Sequence, residues 1–153
     1  VGVIGTKTTV DSRAYEDAFA AATSINLTTV ACPEFVNYVE RGETSGSSLQ
    51  KIATDYLGGL KSKGIDTLVL GCTHYPVLKK HARQIVGTAV PVISQDEIIP
   101  DKLRDYLRRH PEIDAELGKN GSIEFLLTKK SAQSGKFAER LFGQTIKLKL
   151  VGL

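Results

Sequence analysis

The sequence predicts an α/β fold with a parallel sheet, and two observations carry that prediction. Short apolar runs rich in β-branched residues alternate with stretches of helical periodicity, the pattern of right-handed βαβ units. One of the runs, Ile65-Asp66-Thr67-Leu68-Val69-Leu70, is almost continuously apolar, as strands buried on both faces of a parallel sheet are.

Taken in order, Val1 to Ile4 is a short apolar strand ending in a turn at Gly5. Asp11 or Ser12 then offers a cap for a helix over Ala14 to Ala22. Leu27 to Ala31 is a second strand, stopped at Cys32-Pro33 because proline lacks the donor that a central strand requires. Leu49, Ile52, Ala53, Tyr56, Leu57 and Leu60 repeat with helical spacing, with Ser47 or Ser48 near the start and Gly64 just past the end. The apolar strand Ile65–Leu70 follows, and Pro76 stands where the next helix would begin, a place where its missing donor costs nothing. Val90 to Ile93 is a fourth strand. Ser94-Gln95-Asp96-Glu97 opens a helix through about Arg109, Pro111 to Asn120 is a polar connector, Ser122 to Leu127 a strand, Ser131 to Phe142 a helix, and Thr145 to Val151 a closing strand.

Composition narrows the function classes. Of 153 residues, 41% are hydrophobic and 24% charged, and no apolar run approaches the roughly 18 residues of a membrane span. A formal net charge of +3, evenly scattered, is not the electrostatic footprint of a nucleic-acid binder. Lys102, Arg104, Arg108 and Arg109 form a basic strip, but Leu103, Tyr106 and Leu107 on another face make it the solvated side of a helix. Two cysteines make no disulfide framework, and with no charged-then-apolar leader at the start a reducing cytoplasm is expected. The chain has no Met and starts inside a strand, so further sequence upstream is expected.

Gly71-Cys72-Thr73-His74-Tyr75-Pro76 is the segment where chemistry is expected. It leaves the carboxyl end of the most apolar strand, where ligands bind in open α/β sheets, and leads into a helix N-terminus that favours a thiolate. Free backbone donors from Thr73 onward suit a substrate carboxylate. Position alone leaves open a buried structural cysteine beside a capping threonine. Cys32 also follows a strand and invites pairing with Cys72, as two working thiols or as a disulfide. It lacks an adjacent polar group, which favours a structural role. Glu40 is by default an exposed carboxylate, His81 and His110 are expected at the surface, and no metal-ligand spacing is present.

Three stretches resemble the glutamate racemases of the aspartate/glutamate racemase superfamily. These are Gly2-Val3-Ile4-Gly5-Thr6 with Thr9-Val10 and Ser12, Ala31-Cys32-Pro33 through Glu40, and Leu70-Gly71-Cys72-Thr73-His74-Tyr75-Pro76. The resemblance is specific over residues 1 to 93 and looser beyond, with departures at Thr8, Asn37-Tyr38 and Ser94-Gln95-Asp96. It implies a Rossmann-like parallel-sheet domain of a two-domain racemase fold. Residues 1–94 would be the second domain, and residues 95–153 a segment returning to a first domain that is mostly absent. It implies a cofactor-independent enzyme that interconverts L- and D-glutamate with two cysteines and supplies D-glutamate for peptidoglycan. Cys72, assisted by His74 and Glu40, would be catalytic, and Thr6, Thr9, Thr73 and His74 would bind substrate. The other cysteine would lie in the missing half, so that the isolated chain is expected to be inactive. The implied partners are glutamate and that missing half, with a homodimer as one allowed assembly. Two other readings stay open: a related racemase acting on aspartate or another acidic amino acid, and a folded binding or assembly module without catalysis.

Overall fold

The computed structural model describes residues 1–129 and 132–152. Its centre is a four-stranded, all-parallel sheet in the order β2-β1-β3-β4, made of β1 (Gly2–Gly5), β2 (Thr28–Ala31), β3 (Leu68–Leu70) and β4 (Val92–Ser94). Gly5 lies opposite Ala31, Ile4 opposite Leu70, and Leu70 opposite Ser94, so the four strands end together along one carboxyl edge.

The long helix α4 (Ser47–Ser62) shows why the core forms on one face of this sheet. It buries Leu49, Ala53, Leu57 and Leu60, positions separated by three or four residues and therefore on one helical stripe. Each buried leucine contributes about 2 kcal/mol of transfer free energy. Ile4, Leu68, Leu70 and Val92 meet this stripe from the sheet. Phe35 and Val39 join from α3 (Glu34–Arg41), and Ala82, Ile85 and Val86 from α5 (Lys79–Val86). The opposite face at β3 and β4 is more open than the apolar sequence suggests: Val69 is half-buried and Ile93 exposed, beside Ile98 and Ile99 of α6 (Gln95–Arg109).

Several boundaries differ from the sequence reading. A helix the sequence does not suggest comes first, α1 (Lys7–Asp11), opened by Thr6, whose hydroxyl accepts the Thr9 amide at 3.2 Å; Asp11 and Ser12 close it and do not cap the helix that starts at Ala14. Arg13 adopts a left-handed φ of 54° and separates α1 from α2 (Ala14–Phe19). The helix expected at Pro76 starts as a 3-10 turn, Tyr75–Leu78, before α5 continues it. The polar connector contains α7 (Pro111–Glu116), with Pro111 in the first turn where it is tolerated. β5 (Phe125–Leu127) and β6 (Leu148–Leu150) form a separate two-stranded parallel sheet, flanked by α8 (Ala132–Phe142). Ser131, expected to start that helix, lies outside the described residues.

The basic strip of α6 is solvated as expected, with Arg104 paired to Asp101 and both Arg108 and Arg109 to Asp105. Those two guanidiniums hold the Asp105 carboxyl below its usual range. Among the described residues no helix is long and apolar enough to cross a membrane.

Candidate active site

The site begins where β3 runs out. The Gly71 amide donates to the Ile4 carbonyl at 2.7 Å, so the chain leaves β3 pressed against β1. A β-carbon at Gly71 would stand 2.9 Å from that same carbonyl oxygen and 2.9 Å from the Tyr15 hydroxyl, closer than packed atoms allow. Only glycine fits here, and it turns the next three residues out of the sheet.

Of those three, Cys72 is half-buried, Thr73 exposed and His74 half-buried. Cys72 Sγ lies 3.9 Å from Nδ1 of His74, and Nε2 of the same ring lies 3.3 Å from Oε1 of Glu40. Glu40 comes from the last turn of α3, where Phe35 and Val39 seat the helix in the core and leave the carboxylate free to face the imidazole. Thiol, imidazole and carboxylate therefore stand in line. An imidazole held at both nitrogens can pass a proton between a thiol and a carboxylate. Glu40, by default a solvating carboxylate, is thus drawn into the cluster, its side chain 43% exposed.

Tyr75 anchors the segment from beneath. It is fully buried, edge-on to Phe35 at 5.5 Å, and its hydroxyl lies 3.0 Å from the carbonyl oxygen of Gly5 and 2.7 Å from that of Cys32. Burial drives its phenol upward from the usual range. One side chain thus ties the ends of β1 and β2 to the segment leaving β3. In the sequence Tyr75 stands out only as part of the motif. Its aromatic ring among polar neighbours was the available signal.

Thr6 and Thr9 stand at the adjoining end of β1, their hydroxyls 2.9 Å apart. Thr73 lies on a shallow surface shared with Pro76, Gln95, Asp96, Ile99 and Pro100. Cys32 is fully buried, its thiol 3.7 Å from the Val30 carbonyl, and desolvation pushes its pKa up to about 12. Both cysteines are free, so the disulfide alternative is not realised. His81 is half-buried beside Leu78 and Ala82 rather than at the surface, and His110 is half-buried beside Glu112 at 3.1 Å. Among the described residues no group of three or more His, Cys, Asp and Glu is arranged to hold a metal ion.

Sequence reasoning missed one further neighbour of the site. Phe137 of α8 stacks on the His74 ring, with centroids 5.2 Å apart and planes within 4° of parallel. Nothing in the local sequence marks it, because the contact joins distant parts of the chain.

No family model matches the chain. It is 43% identical over 148 residues to the glutamate racemase of Saccharopolyspora erythraea, covering 95% of this chain and 54% of that protein. It is 41% identical over 147 residues to the glutamate racemase of Corynebacterium glutamicum, with the same coverage of 95% and 54%. The crystal structure of glutamate racemase from Francisella tularensis in complex with D-glutamate superposes with a TM-score of 0.85 at 27% identity, over 99% of this chain and 57% of that one. A glutamate racemase isoform from Bacillus anthracis gives 0.84 at 32% identity, again over 99% and 57%. The chain spans about half the length of the curated relatives it matches. By sequence and by fold alike, it matches the C-terminal portion of the glutamate racemases and shares the α/β architecture of their two-domain racemase fold.

Proposed function

We propose that this chain is the C-terminal portion of a cofactor-independent glutamate racemase, in which Cys72 is one of two acid–base thiols. The observation that carries the reading is the line from Cys72 through His74 to Glu40 at the carboxyl edge of the sheet, with separations of 3.9 and 3.3 Å. The D-glutamate bound to the Francisella relative supports glutamate as the substrate. In this scheme residues 1–94 form the second domain and residues 95–153 return toward the first. The product serves peptidoglycan synthesis in the cytoplasm.

Inverting an α-carbon by proton transfer takes a base on one face and an acid on the other. A thiol serves either way, because both its forms are accessible near neutral pH. Cys72 as thiolate takes the α-proton of L-glutamate, and the electron pair stays on the α-carbon and its carboxylate. The second thiol, outside this chain, delivers a proton to the opposite face. His74, backed by Glu40, relays the proton to and from Cys72, while Thr6, Thr9, Thr73 and His74 hold the substrate.

The test follows L- and D-glutamate by circular dichroism with the enzyme that contains this chain. Cys72→Ser should abolish turnover while leaving the substrate requirement largely intact, since serine keeps the shape but is a far poorer base. His74→Asn should depress the two turnover numbers unequally, the L-to-D direction most. The 153-residue chain alone should show negligible racemization. Unimpaired turnover by Cys72→Ser would sink the assignment, and faster turnover of aspartate than glutamate would move the substrate.

A further inference from the structure

The geometry points to Phe137 as a positioning residue that holds the His74 imidazole in the plane joining Cys72 to Glu40, an inference that rests on the acid–base reading above. An imidazole linked at its two nitrogens remains free to tilt about the line between them. The links at 3.9 Å to Sγ and 3.3 Å to Oε1 are both long, so they restrain that tilt weakly. The missing restraint is a surface on the ring's face, which Phe137 supplies: the two rings are within 4° of parallel at 5.2 Å, an offset stack of the favoured kind.

Phe137 is itself held. It packs against the core cluster from α8, and α8 packs along α3, the helix that carries Glu40. Further along α8, Arg140 lies over Gly42 at the end of α3. A β-carbon there would collide with the Arg140 guanidinium, on a backbone already at φ +77°. Phe142 of the same helix meets Phe125 of β5 edge-on at 4.9 Å. Five residues turn an α-helix by about 140° past a full turn, so Phe137 and Phe142 face different ways. One faces the site and the other the small sheet. The helix thus braces two of the three aligned groups, Glu40 through α3 and His74 through Phe137, with the β5–β6 sheet behind it.

The experiment measures Cys72 alkylation in the 153-residue chain carrying Cys32→Ala, together with the proton NMR signals of the His74 ring. Stacking should shift the His74 ring protons upfield, and Phe137→Leu should remove the shift while far-UV circular dichroism stays unchanged. His74→Asn should slow alkylation about tenfold, Phe137→Leu about fivefold, and Phe137→Tyr, which keeps the aromatic face, should restore the rate. The decisive arm is the double variant. If Phe137 acts through His74, adding Phe137→Leu to His74→Asn changes the rate no further. A second fivefold loss in that background makes Phe137 a packing residue and overturns the inference. An effect of His74→Asn with none of Phe137→Leu overturns the inference alone. No effect of His74→Asn overturns the coupling of Cys72 to His74, and the positioning role with it.

Discussion

The two thiols of this chain should differ in reactivity by orders of magnitude, and the structure sets the scale. Cys32 has no exposed surface, and burial raises its pKa to about 12. At pH 7.5 its thiolate fraction is therefore about 3 in 100,000, against about one in ten for an ordinary thiol with a pKa of ~8.5. That alone is a factor of about 3,000, before counting the opening motion a reagent needs to reach the sulfur. Cys72 is half-exposed and carries an imidazole nitrogen 3.9 Å from its sulfur. Two single-cysteine variants, Cys32→Ala and Cys72→Ala, treated with iodoacetamide and sampled by mass spectrometry, separate the sites. Cys72 should label at least a hundredfold faster. Labelling of Cys32 should accelerate steeply with sub-denaturing urea, because it follows transient unfolding. Labelling of Cys32 within tenfold of Cys72, in a chain with unchanged circular dichroism, would refute the structural assignment of Cys32 and restore it as a candidate second base.

Three further outcomes are expected of stability. The Cys32 pKa is raised on folding, so its contribution is complete below the unfolded value of ~8.5 and is lost as pH climbs toward about 12, amounting to a loss of about 2 kcal/mol by pH 10. Urea melts between pH 7 and 10 should therefore decline more steeply for the native chain than for Cys32→Val, and equal slopes would refute this. Gly71→Ala should cost about 2 kcal/mol or more, because its β-carbon meets the Ile4 carbonyl, a backbone atom that cannot swing aside. Gly59→Ala, in open space within α4, should instead stabilise by up to about 1 kcal/mol; urea midpoints showing equal effects would remove the steric argument.

How much of this was legible depended on the range of the contacts. β1, β2, α4 and α6 follow from local periodicity and punctuation, and they form where the sequence places them to within a few residues. The helix α3 is harder to read from the sequence, although Pro33 stands at its start, Phe35 and Val39 lie one turn apart and Gly42 follows its end. Two acidic residues and an asparagine among them obscured the pattern. α7 was hidden in the same way by its charge. Cys72 and His74 share one turn, so their pairing is local and was legible. Glu40 reached the candidate site through resemblance, because its contact with His74 spans 34 positions. Phe137 was beyond either route: α8 was legible as a helix, but no periodicity says which ring of a helix will meet which loop.

The six residues from Gly71 to Pro76 divide into anchors and presented groups, and that division explains why such a short segment can be specific. Gly71 is fixed by the lack of room beside β1, and Tyr75 by its hydroxyl near the carbonyls of Gly5 and Cys32. Pro76 sits in the 3-10 turn that redirects the chain. Between these fixed points Cys72, Thr73 and His74 have little freedom to rearrange, yet all three keep a solvent-facing side. Proton transfer between heavy atoms is sensitive to displacements of well under an ångström, so a reactive thiol gains from a backbone held at both ends. A flexible loop bearing the same three side chains would lose that alignment. Loosening either anchor should therefore change Cys72 and His74 together, because the same backbone holds both.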